Sequence, residues 1–195
     1  MKLSLLLALF SLPAYSFYLN TNIGAAFSSN KVKIYVTSNS TCTNAGITKE
    51  ELLSLAVKGA QKYWNKVPTS ALELKRGGIL QTTDSKFLTE KLCAEDDNTT
   101  CPTATSVPKV NNIVIACNSN TADNFTSNST LALSAPTKLS GDNIKGSIIL
   151  INDAANSQFG SLSNAERISA LAHELGHAIG LGQGVHHRCG NYGRG

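Results

Sequence analysis

Concentrated charge is what this sequence most lacks. Of its 195 residues only 15% are charged, no run of Lys or Arg exceeds two residues, and 17 basic against 13 acidic side chains leave a formal charge of +4. So weak and dispersed a positive balance excludes the footprint of a nucleic-acid binder. Long hydrophobic runs are missing too: no apolar stretch reaches the roughly 18 residues of a membrane span. There is no Cys-x-x-Cys pair, so a zinc ribbon lacks its ligand spacing. No internal repeat of solenoid length occurs. What is present is 42% hydrophobic residues, enough at this length for one globular domain with a real core.

The first sixteen residues read as a secretory signal. Lys2 supplies the positive end, Leu3 to Leu12 the short apolar region, and Ala14-Tyr15-Ser16 a small-x-small cleavage site. Export makes the cysteines readable as disulfides. Cys42, Cys93, Cys101 and Cys117 lie in the body, with three possible connectivities, and Cys189 lies near the end. The Asn/Thr-rich stretch between Cys93 and Cys101 looks like a closed loop, which favours Cys93–Cys101 and leaves Cys42–Cys117. Asn-x-Ser/Thr sequons at Asn39, Asn98, Asn124 and Asn128 arise readily in a chain this rich in Asn, Ser and Thr; they carry no functional reading.

Along the body, Lys31 to Val36 alternates Lys with aliphatic residues, a half-buried strand. Thr48-x-x-Glu51 is a capping box opening a helix that the pattern carries to about Val67, with Leu52, Ala56, Ala60, Tyr63 and Val67 on its core face and Trp64 beside it. Ala71 to Lys75 reads as a short strand stopping at Gly77-Gly78, and Asp84 to Leu92 as a short helix. Asn112 to Cys117 and Gly146 to Asn152 are apolar enough for buried strands, the second central. Leu131 to Ser134 is a shorter strand, and Pro136 just beyond it marks a sheet edge.

The chemistry sits near the C-terminus. Ser163-x-x-Glu166 is a second capping box, and Ile168, Leu171, Ala172, Leu175 and Ile179 follow at helical period. On that helix lie His173 and His177, one turn apart on one face, so that both imidazoles can reach one ion. Glu174 stands beside them, where a carboxylate can take a proton from water activated by the metal. Gly180 ends the helix.

The run His173-Glu174-Leu175-Gly176-His177-Ala178-Ile179-Gly180-Leu181-Gly182 resembles the metzincin zinc signature, closest to the matrixin type of secreted metalloendopeptidase. The likeness covers most of residues 30–182, its specific part being the zinc helix. It implies an α+β fold: a zincin-like upper subdomain, with a twisted mixed sheet, a backing helix and a zinc-site helix, and a truncated C-terminal subdomain. It implies Zn2+ as cofactor, His173 and His177 as ligands, Glu174 as general base, and a substrate strand added antiparallel to the edge near Leu131 to Ser134.

The family pattern then breaks. Gln183 stands where the third ligand, normally His, would fall, and an amide is a poor zinc ligand. His186 and His187 remain as substitutes. The family's methionine turn has no counterpart, since Met1 is the only methionine. The layout expected is a signal peptide over 1–16, a lead-in over 17–30, a metallopeptidase-like catalytic domain over 31–183 and an atypical Gly-rich tail over 184–195. The reading is a zinc metalloendopeptidase, secreted to an extracellular or periplasmic space and acting as a monomer on protein or peptide, in a truncated or misread copy. The mature form needs no nucleic acid or membrane partner. The alternative is a secreted, inactive protease-like module that binds peptides. An exported structural domain with an accidental motif is the third.

Overall fold

A computed structural model describes residues 17–19, 25–94 and 106–183. Its elements are β1 (Phe17–Leu19), β2 (Ala26–Phe27), β3 (Lys31–Thr37), α1 (Lys49–Gly59), β4 (Glu73–Leu80), α2 (Lys86–Thr89), β5 (Asn112–Asn118), β6 (Ala132–Ser140), β7 (Asn143–Asn152), α3 (Asn164–Ala178) and β8 (Leu181–Gln183). A π-helical turn, Ala60–Trp64, continues α1, and a 3-10 turn, Gln158–Ser161, precedes α3. The class is α+β with a mostly parallel sheet.

The sheet runs β6-β7-β5-β3-β4, with β2 pairing with the first two residues of β7. All these pairings are parallel except β6 with β7. Parallel neighbours need a crossover, and α1 supplies the one between β3 and β4. The continuous apolar runs of β5 and β7 follow from burial on both faces. Ile113, Ile115, Cys117, Ile149 and Ile151 face a core shared with α1 and α3. Val114, Ala116, Ile148 and Leu150 face a smaller cluster with Phe87 and Phe125. As its sequence suggested, β7 is interior, between β5 and β6.

Several elements depart from simple periodicity. Thr48 caps α1 by accepting from the Glu51 amide, and Leu52, Ala56 and Ala60 are buried as expected. The chain then widens into the π turn, which adds a residue per turn and rotates the side chains beyond it. Tyr63 and Val67 consequently leave the core and are 41% and 36% exposed. Trp64 stays against the core. Gly77-Gly78 does not end its strand. It forms a bulge inside β4, where the register against Ile34 and Tyr35 shifts and Gly78 has φ +127°. On β6 the strand runs through Pro136 to Ser140, longer than expected, and it is the edge that Pro136 indicated.

Cys42 and Cys117 are joined, tying the loop after β3 to the end of β5. Cys93 is also disulfide-bonded; Cys101 lies outside the described residues. Among the sequons, Asn124 is buried, its amide donating to the Glu90 carbonyl and the Asn118 side chain. No described helix is long and apolar enough to cross a membrane.

Candidate metal centre and groove

The helix that carries the motif is fixed at both ends and from behind. At its start the capping box is complete: the Ser163 amide donates to Glu166 Oε2 at 2.8 Å, and the Glu166 amide to Ser163 Oγ at 3.4 Å. Leu171, Leu175 and Ala178 are buried against the sheet. Gly59 lets α1 approach closely, since a Cβ there would lie 3.1 Å from the Ile168 carbonyl oxygen and 3.4 Å from Ala172 Cβ. Trp64 Nε1 donates to the Ala172 carbonyl at 2.7 Å. At the far end, Ser147 Oγ of β7 donates to the Ala178 carbonyl at 2.6 Å, satisfying one of the acceptors that a helix end leaves open. With its apolar face so engaged, α3 turns His173 and His177 to a half-buried position on the other side.

The two imidazoles converge. His173 Nε2 and His177 Nε2 are 3.1 Å apart, their rings edge to face. His177 Nδ1 lies 2.8 Å from the Leu181 carbonyl oxygen. A carbonyl only accepts, so Nδ1 carries the hydrogen, and in the neutral ring Nε2 presents its lone pair toward His173. A carbonyl on the far nitrogen is the usual way a metal-ligating histidine is oriented. Burial, and then the neighbouring His177, hold the His173 imidazole below its ordinary pKa, which favours the neutral, ligating form.

Glu174 is buried, and burial pushes its carboxyl pKa up; the Ser134 hydroxyl and the charge of His177 oppose that rise. Ser134 Oγ lies 2.8 Å from Glu174 Oε2 and 2.8 Å from the Glu174 carbonyl oxygen. Sequence reasoning placed Ser134 on the edge strand but did not connect it with Glu174, forty positions away. No local pattern signals that contact; it exists because β6 packs on α3.

Past the helix, Gly180 takes φ +104°, and a Cβ there would meet the Ala25 carbonyl oxygen at 2.5 Å. Both the left-handed turn and the close approach require glycine. The chain then enters β8, which pairs antiparallel with β1, Leu181 opposite Leu19 and Gln183 opposite Phe17. Position 183 is thus the last of β8; His186 and His187 lie outside the described residues.

Between β6 and α3 runs a groove of about 850 Å³. Leu131, Ala132 and Leu133 form one wall, Leu162 and Ala170 part of the other, and His173 and Glu174 stand in its lining. The outer edge of β6 borders it, since β6 pairs only with β7 among the described strands.

Among the described residues no group of three His, Cys, Asp or Glu side chains is placed to hold a metal. The donor set present fits a two-histidine site: one ion at about 2.0–2.1 Å from each Nε2 would span their separation. The chain matches no protein-family model and no curated protein.

Proposed function

We propose that the chain is a secreted zinc-dependent metalloendopeptidase of the metzincin kind, hydrolysing peptide bonds. The observation that carries this reading is the paired Nε2 atoms of His173 and His177, 3.1 Å apart, with the second held in the ligating tautomer by the Leu181 carbonyl. Zinc bound there would supply Lewis-acid polarisation of a carbonyl and acidification of water.

This chain's own residues do the rest. Glu174, buried beside the histidines with its pKa raised by desolvation, is suited to take a proton and return it to a leaving amine. The edge of β6 offers backbone groups to an extended peptide, the β-augmentation mode, and the apolar groove beside it receives side chains and excludes water. The mostly parallel sheet, with its antiparallel strand β6 beside the motif helix, is compatible with that reading in general class. The Cys42–Cys117 disulfide is compatible with an oxidising destination.

The test is cleavage of a quenched fluorescent peptide library with and without zinc. Activity should require zinc, and Glu174→Ala should lower turnover by about 10²- to 10⁴-fold, the usual contribution of general acid–base catalysis, while zinc binding persists. Full turnover in Glu174→Ala would sink the mechanism. A second reading, an inactive peptide-binding module, is favoured by the groove and by a strand edge unpaired among the described residues, neither of which needs a metal; it predicts peptide binding without cleavage.

A further inference from the structure

We propose that Ser134 is a positioning residue for Glu174, coupling the proton-accepting carboxylate to the strand along which the peptide lies. The inference rests on the hydrolytic reading above and goes beyond its motif residues.

A serine hydroxyl has one hydrogen to give. Here two acceptors lie at 2.8 Å, Glu174 Oε2 and the Glu174 carbonyl oxygen. The carbonyl is inside α3 and faces the amide of residue 178 by ordinary helix geometry. The carboxylate has no such internal partner, and among the described residues Ser134 is its one hydrogen-bond donor. A hydroxyl donating to a carboxylate is charge-assisted and stronger than one donating to an amide carbonyl. The hydrogen therefore goes to Oε2 when Glu174 is ionised. That anchors one carboxylate oxygen to β6 and fixes the orientation of the carboxylate.

The placement matters as much as the bond. Ser134 lies on β6, paired with Ile149 of β7, directly after the Leu131 to Leu133 wall of the groove. A peptide added to the outer edge of β6 is registered by β6 backbone groups. Ser134 ties the base to that same strand, so the reacting carbonyl and the group that handles its proton share one frame. Ala132 and Ala135, the nearby small side chains of β6, offer no polar atom for this. A misplacement of the base by even an ångström costs turnover while leaving peptide affinity in place.

Ser134→Ala and Ser134→Thr, each assayed in the zinc-loaded full chain beside the wild type, test this. Ser134→Ala should lower kcat by about 10- to 100-fold, the range seen when supporting partners of a site are removed. KM and zinc affinity, the latter by competition with a chromophoric chelator, should each stay within about twofold. Ser134→Thr, which keeps the hydroxyl and suits a strand, should restore kcat to within about threefold of wild type. A crystal structure of Ser134→Ala should show the Glu174 carboxylate turned away from its wild-type position. Unchanged kcat in Ser134→Ala with Glu174→Gln inert would overturn this proposal and leave the hydrolytic reading standing. So would a loss of kcat matched by loss of zinc or left unrepaired by threonine, since both mark a merely structural role. A zinc-loaded wild type with no turnover would overturn the hydrolytic reading and this proposal with it.

Discussion

Adding zinc to the metal-free chain should raise its thermal midpoint, and His177→Ala should abolish the rise. The magnitude comes from the site. His173 and His177 would hold the ion, and their Nε2 atoms already lie 3.1 Å apart, so binding would demand little movement of either ring. A ligand that binds the native state alone stabilises it by about 2.7 kcal/mol at a hundred times its Kd. In a domain of this size each kcal/mol moves the midpoint by about 2–4 °C, so the rise should be about 5–11 °C. Circular dichroism melts with free zinc set from calorimetric titration would measure it. Magnesium at the same concentration should do nothing, because it prefers an oxygen shell to imidazoles. With two described ligands the ion should exchange readily, and dialysis against metal-free buffer should return the midpoint to its starting value. No gain in the wild type under saturating zinc, or an equal gain in His177→Ala, would refute a shared site on the two histidines.

The site helix was legible because its signals are local. The Ser163/Glu166 box, the spacing of Leu171 and Leu175, and the i, i+4 histidines all lie within one helix and all appear as read. The alternating β3 and the apolar β5 and β7 were legible for the same reason. What the sequence concealed is whatever depends on a partner far along the chain. The π turn at Ala60–Trp64 rotates Tyr63 and Val67 to solvent while Trp64 reaches α3, and no helical period announces an extra residue in a turn. Gly77-Gly78 reads as a stop, yet it is a bulge, because Tyr35 on the neighbouring strand lies against Gly77 and the ladder resumes beyond it. The pairing of β1 with β8 joins residues more than 160 positions apart. Ser134 belongs to the same class: a polar residue on a short strand, given its meaning only by the helix packed on it.

Three further outcomes test the electrostatics and the frame. In the metal-free chain, burial makes the folded state bind the Glu174 proton more tightly than the unfolded chain does, since the folded pKa lies above the ordinary 4.5. The associated stability is fully present below about pH 4.5 and is lost as pH rises through the folded value. Metal-free Glu174→Gln should therefore gain on wild type as pH rises and converge with it in acid; urea midpoints showing the opposite trend would refute the assignment. His173 works the other way: its depressed pKa gives stability that is present above pH 6.5 and is lost as pH falls through the folded value, so that part of the profile should be absent in His173→Gln. The disulfide supplies the last test. Cys42 and Cys117 are 75 positions apart, and closing a loop of that length removes denatured-state entropy worth about 4.5 kcal/mol at 25 °C in the chain-entropy treatment. Both sulfurs belong to residues at most 2% exposed, so Cys42→Ala with Cys117→Ala is the clean replacement, since serine would bury unpaired hydroxyls. Removal of the bonded sulfurs from the core adds a packing loss to the entropy, whereas residual structure in the unfolded chain subtracts from it. Urea unfolding should therefore show a loss of about 3–5 kcal/mol. A loss below about 1 kcal/mol would mean that the loop after β3 and the end of β5 stay together in the unfolded ensemble without the bond, and the entropic argument would fall.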